Sequence, residues 1–115
     1  MRKIEQQMND AISNNQNWQS GNTSVTFDPE TNESKVYLHG NHIATVGDDF
    51  VQIFDGGYQS VTTKSRLNAI LKVHGINGEC VFQKNWNWFV HKFIGQAGTS
   101  PVYNCYEFTN GFMFA

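Results

Sequence analysis

Thr62-Thr63-Lys64-Ser65-Arg66-Leu67-Asn68-Ala69-Ile70-Leu71-Lys72-Val73-His74-Gly75 is the stretch whose reading decides the fold. Leu67, Ile70, Leu71 and His74 recur at i, i+3, i+4 and i+7, one stripe of an α-helix. Ahead of the stripe, Thr62 or Thr63 can offer a hydroxyl to the free backbone N–H groups of a first turn. Behind it, Gly75 stands where helices often close in the left-handed conformation. His74 reads as a helix C-terminal histidine favoured by the dipole. Ala69 allows close packing. Cap, period and stop agree, so a helix is predicted over Thr63–His74.

Upstream of that helix the period changes from helical to alternating. Thr23–Asp28 places Val25 and Phe27 on one face, and Lys35–His39, Ile43–Val46 and Phe50–Phe54 are rich in β formers. Turn chemistry separates them: Pro29 to Glu33, a two-residue Gly40-Asn41 loop, Gly47-Asp48-Asp49, and Asp55-Gly56-Gly57. Tyr58–Val61 resumes as a short strand. Residues 23–61 are thus expected to form an antiparallel meander of three to five strands. Further upstream, Ile4, Met8, Ala11 and Ile12 give a short amphipathic helix over about residues 2–14. Such a helix is marginal alone and must dock. Trp18 is expected to plug it onto the body, and residues 19–22 read as loop.

Downstream, further antiparallel strands are expected over residues 80–114. Cys80-Val81-Phe82 is β-prone, Lys84-Asn85 reads as a turn, and Trp86 to Val90 resumes as strand. Gly95 to Pro101 reads as a flexible loop and Val102–Phe108 as a strand. Asn110-Gly111 is the strongest short hairpin signal. Phe112-Met113-Phe114 would be a final short strand or a packed tail. The fold class that follows is α+β, in a single domain over 1–115.

Composition agrees. The chain has 115 residues, rich in Phe, Tyr and Trp and poor in charge, which suits an ordinary apolar core. No apolar run approaches the roughly 18–20 residues of a membrane span, and the N-terminal stretch lacks the apolar middle of a signal peptide. A cytoplasmic protein without membrane contact is expected. Cys80 and Cys105 are few for a secreted chain of this size, although their separation permits a disulfide. The net charge is −2, unevenly spread: residues 1–60 carry eight acids and three bases, residues 61–115 five bases and two acids. That is either chance placement or a basic face opposite an acidic one.

Two stretches are candidate contact sites. At the helix start, Thr62, Thr63, Lys64, Ser65 and Arg66 gather hydroxyls and cations at the positive end of a dipole, a setting for phosphate, or else an ordinary solvated first turn. The glycine-rich approach of a nucleotide-binding loop is missing. In Lys84-Asn85-Trp86-Asn87-Trp88-Phe89-Val90-His91-Lys92, cations interleave with aromatics. Read as one strand, Lys84, Trp86, Trp88 and Val90 share a face, leaving Asn85, Asn87, Phe89 and His91 on the other. Together with Lys92 it is either an aromatic and basic surface for stacking bases or a pair of core tryptophans. His39, His42, His74, His91 and the two cysteines lack any standard zinc spacing. Asp48, Asp49 and Asp55 read as turn formers. No catalytic residue, metal or cofactor is expected.

The runs Val36-Tyr37-Leu38-His39-Gly40-Asn41-His42-Ile43-Ala44, Phe54-Asp55-Gly56-Gly57-Tyr58, the helix from Thr62 to Leu71, and Val81-Phe82-Gln83-Lys84-Asn85-Trp86 with Trp88-Phe89-Val90 resemble small uncharacterised proteins of tailed bacteriophages. The likeness covers about residues 23–91. It implies a viral gene product working in a bacterial cytoplasm and implies no catalytic residue. The leading expectation is a non-enzymatic phage accessory protein that contacts nucleic acid or host nucleic-acid-handling machinery. A protein–protein inhibitor of a host defence system or host enzyme, acting through Asp48, Asp49 and Asp55, is the alternative; a small enzyme is the third. Partner identity, nucleic acid or protein, and monomer or dimer stay open, since meander edges can pair between chains.

Overall fold

A computed structural model describes all 115 residues. The chain is α+β: α1 (Lys3–Ser13), β1 (Trp18–Ser20), β2 (Thr23–Asp28), β3 (Glu33–Leu38), β4 (Asn41–Val46), β5 (Val51–Ile53), α2 (Val61–His74), β6 (Cys80–Lys84), β7 (Asn87–Ala97), β8 (Ser100–Glu107) and β9 (Phe112–Phe114). The strands form two sheets, β1-β2-β3-β4-β5-β9 and β6-β7-β8, with every pairing antiparallel.

The decisive helix starts earlier than its sequence suggests. Ser60, extended at φ −107° and ψ 163°, accepts the Thr63 N–H at 3.0 Å and is the N-cap, in place of Thr62 or Thr63. Such a cap stabilises by about 1 kcal/mol. The end differs too. Gly75 is extended, at φ −88° and ψ −176°, and not left-handed. Glycine is needed there for space: a Cβ would meet the Leu71 carbonyl at 2.7 Å. Leu67, Ile70 and Leu71 are fully buried, as the stripe requires. Arg66 is buried as well, on a turn expected to be solvated.

The meander runs as expected from β2 to β5, with Val25, Val36, Ala44 and Ile53 in one cross-strand row. Three details are corrected. Residues 18–20, read partly as loop, form the edge strand β1 against β2. The β3–β4 loop is His39-Gly40, with positive φ at both residues (52° and 77°), so the mirror-image turn sits one residue before Gly40-Asn41. Tyr58–Val61 is not a strand.

The C-terminal part departs furthest. Residues 95–101, read as a loop, are the tip of a β-hairpin, with Ala97 opposite Ser100. Asn110-Gly111 joins no hairpin; it carries the chain from β8 in one sheet to β9 in the other, where Phe112–Phe114 pairs with β5. Local turn propensity set the bend, and burial of Phe114 set the partner.

The helices pack on each other and against the large sheet, and one cluster of 19 buried apolar residues draws on both helices and both sheets. Each large apolar side chain in it stabilises by about 1.5–3 kcal/mol. Met8, Ala11 and Ile12 dock α1. Asn68 fastens the second sheet: its amide donates to the Val81 carbonyl at 2.9 Å and accepts the Val81 N–H at 2.7 Å, completing the edge of β6. No helix is long and apolar enough to cross a membrane.

Candidate functional site

The helix-start residues do not lie open together. Arg66 donates from Nη1 to Glu5 Oε2 at 2.9 Å, from Nε to Thr23 Oγ1 at 3.0 Å, and from Nη2 to Asn22 Oδ1 at 3.3 Å. Ser65 donates to the same Glu5 oxygen at 2.6 Å. Thr63 is buried and donates its hydroxyl to the Tyr58 carbonyl. Of the five residues only Thr62 and Lys64 keep side chains without a hydrogen-bond partner, and both are half-buried. The anion held at this turn is thus internal. Burial alone would raise the Glu5 carboxyl, but hydrogen bonds from Ser65 and Arg66 outweigh it and hold the group below its ordinary value.

The second candidate stretch is rearranged by one turn. Its residues are not a single strand: Asn85 and Trp86 form a mirror-image turn, with φ of 51° and 69°, and Lys84 pairs with Asn87. A two-residue turn inside the stretch takes Lys84, Asn85 and Trp86 out of the expected parity, while Trp88 and Val90 still share one face and Asn87, Phe89 and His91 the other. Trp88 points inward, is 5% exposed, and packs edge-on against Phe108 at 5.4 Å. Trp86 sits at the hairpin tip and is 90% exposed. Lys92 falls on the parity of Trp88 and Val90, while Lys84 falls on the opposite one. The four residues Lys84, Trp86, Trp88 and Lys92 therefore form no common face.

The open face of this sheet is built from other residues. Phe82 and Phe89 are cross-strand partners with ring centroids 5.7 Å apart and planes 24° from parallel. Beyond them His91 and Tyr103 stack at 4.5 Å. Tyr103 is fixed by its hydroxyl, which donates to the Asn77 carbonyl at 2.6 Å. All four rings are half-buried, and the residues sharing their parity (Cys80, Lys84, Asn87, Phe93, Cys105, Glu107) are half-buried or exposed. A depression of about 350 Å³ beside the Phe pair is lined by Lys84, Asn85, Asn87 and Cys105. Two rings, two amides and one cation thus meet at one place. Sequence reading placed Phe89 and His91 together on the face opposite the tryptophans, without offering it as a contact surface, and did not bring in Phe82 and Tyr103. The positive-φ preference of Asn85 was the available signal for the turn.

The remaining polar candidates resolve into structure. Cys80, His91 and Cys105 are successive cross-strand partners, so about 10 Å separates the two cysteine Cα atoms, beyond disulfide reach. Both thiols are free. Burial, reinforced by Cys105, pushes the Cys80 thiol up. Asp55 accepts the Gly57 N–H at 2.7 Å as a turn former. His74 ends the helix as expected, but burial lowers its pKa, against the dipole's preference for the charged form, and its Nε2 is buried without a partner. A further ring cluster, Tyr37, His42 and Phe54, lies on the large sheet, with His42 4.5 Å from Phe54.

A family model described as Kyanoviridae Gp96 protein matches residues 1–115. The chain belongs to this family. Kyanoviridae are phages of cyanobacteria, so the phage origin expected from residues 23–91 holds over the whole chain, both ends included. No curated protein and no solved structure matches it. The family description states no activity, and function must be argued from the geometry of this chain.

Proposed function

We propose that this Gp96 family member is a non-enzymatic phage accessory protein that acts in the host cytoplasm and binds single-stranded nucleic acid on the open face of β6-β7-β8. The observation that carries the reading is the Phe82–Phe89 pair displayed beside Lys84, Asn85 and Asn87. Every base has a π-face, and a base stacked on an aromatic side chain gains about 1–3 kcal/mol. The amides of Asn85 and Asn87 suit base edges exposed in a single strand, and Lys84 suits one phosphate.

Charge sets the expected character of the binding. Glu107 shares the face with Lys84, so few phosphates are neutralised. Stacking must then supply most of the affinity. With one phosphate contact, log K falls with log salt at a slope of about −0.7, or roughly threefold between 50 and 200 mM salt. Fluorescence anisotropy with labelled single-stranded DNA and RNA tests this. Binding with that shallow slope, lost in Phe89→Ala, supports the reading. Absence of binding at low salt sinks it.

Trp86 favours a second reading. A tryptophan 90% exposed at a turn tip has the chemistry of an interface anchor for a protein partner. A host protein retained after nuclease treatment, and released by Trp86→Ala, would favour the inhibitor reading over nucleic acid.

A further inference from the structure

A separate cleft of about 360 Å³ opens between the Gly47–Phe50 turn, the end of α2 and β9. Phe50, Phe93 and Phe114 line it, together with Asp48 and Asp49. His74 lines it too, and its Nε2 is buried and bonded to nothing. No lysine or arginine is among the lining residues. Glu79 adds a further carboxylate, whose oxygens already accept the backbone N–H groups of Ile76 at 2.8 Å and Phe93 at 3.1 Å.

We propose that this cleft binds an organic cation, an aliphatic ammonium or guanidinium group. Negative carboxylates repel anions, and phenyl faces attract cations through their quadrupole. A neutral apolar ligand would gain from the rings but leave the acids without a counterpart.

The acidic wall is prepared for this. The Gly47 N–H donates to the Phe50 carbonyl at 3.0 Å, closing the turn. The Phe50 ring lies against Gly47 so closely that no Cβ fits there. Asn32 donates to both Asp48 oxygens, at 3.0 and 2.9 Å, and fixes that carboxylate. Asp49, exposed, keeps its oxygens free. A wall held in place before the ligand arrives loses little entropy on binding.

The cation has two possible sources: a free polyamine, or an arginine or lysine side chain of a partner protein. Both are tested on the full chain by NMR titration near physiological ionic strength, with spermidine, a blocked arginine amide, and an uncharged diol of similar length as probes. Shifts are expected at Asp48, Asp49, Phe50, His74, Phe93 and Phe114 with the cations and not with the diol. Asp49→Asn should weaken cation binding by about tenfold. Phe93→Leu, at a half-buried position, should weaken it several-fold. Tighter binding of spermidine assigns the free polyamine; tighter binding of the arginine amide assigns the partner side chain. Equal binding of diol and cation overturns the proposal, as does cation binding unchanged in both variants, which marks diffuse counterion attraction.

Discussion

Arg66 Nη1 lies 2.9 Å from Glu5 Oε2, and both side chains are at least 96% buried. Sixty-one positions separate them, so the pair ties α1 to α2 across the top of the sheet. Breaking a buried pair from one side strands a charge, at a cost of about 3–5 kcal/mol. Arg66→Leu and Glu5→Leu are each expected to destabilise by that order in urea unfolding. The double variant should recover much of the loss, because an apolar pair leaves no stranded charge. Additive losses would show that the two side chains act separately.

That pair also shows what was legible in the sequence. The stripe Leu67, Ile70 and Leu71 announced a helix and its buried face. Arg66 lies beside Leu67 on the same turn, and its burial depends on a carboxylate sixty-one residues away that no local pattern names. The same holds at the sheets. Alternation revealed β2 to β5, since each strand reports its own inner face. It did not reveal that Phe112–Phe114 leaves its neighbour β8 and pairs with β5, a choice made by tertiary burial. On the contact face, one two-residue turn took Lys84 and Trp86 off the face of Trp88, while Trp88 itself went to the core, as one of the two readings had it. The aromatic content and the split of Trp88 from Phe89 and His91 were readable there, but the places of Lys84 and Trp86 were not, because parity holds within a strand and not across a turn.

Histidine burial gives a pH dependence. His42 and His74 are both lowered below their ordinary value of 6.5, each first by burial. A depressed histidine binds its proton more readily unfolded than folded. The contribution is therefore fully present above the unfolded pKa and is lost as pH falls through the lowered folded values. The denaturation midpoint should fall as the pH drops below the ordinary histidine value of 6.5. Glu5 acts in a lower window: its folded pKa is below 4.5, so its contribution is lost only as pH falls through that value. His74→Gln should flatten the upper part of the profile and leave the lower part intact.

Asn68 predicts a local effect. Its amide makes both hydrogen bonds that Val81 offers on the edge of β6. Asn68→Ala leaves a buried N–H and C=O unpaired, at a cost of about 1–3 kcal/mol. Amide exchange should speed up first in β6, at Val81 and Phe82, while β2 to β4 keep their protection. Uniform acceleration over both sheets would mean that the small sheet does not open independently.

The two hairpin tryptophans should behave as opposites. Trp88 is 5% exposed and fills the core against Phe108, so Trp88→Ala is expected to cost about 3–5 kcal/mol. Trp86 is 90% exposed, at φ +69°, a backbone conformation that a bulky residue adopts at a cost. Trp86→Gly removes that strain and buries nothing less, so stability should hold or rise slightly in thermal unfolding. A residue that is unfavourable for its turn and contributes nothing to the core fits the partner contact proposed for the hairpin tip. Emission spectra give the check. With Trp18 replaced by Phe, Trp88→Phe should leave a red-shifted, readily quenched signal from Trp86, and Trp86→Gly a blue-shifted, protected signal from Trp88. Similar quenching of both would place the two rings in similar surroundings and remove the basis for treating the hairpin tip as a contact point.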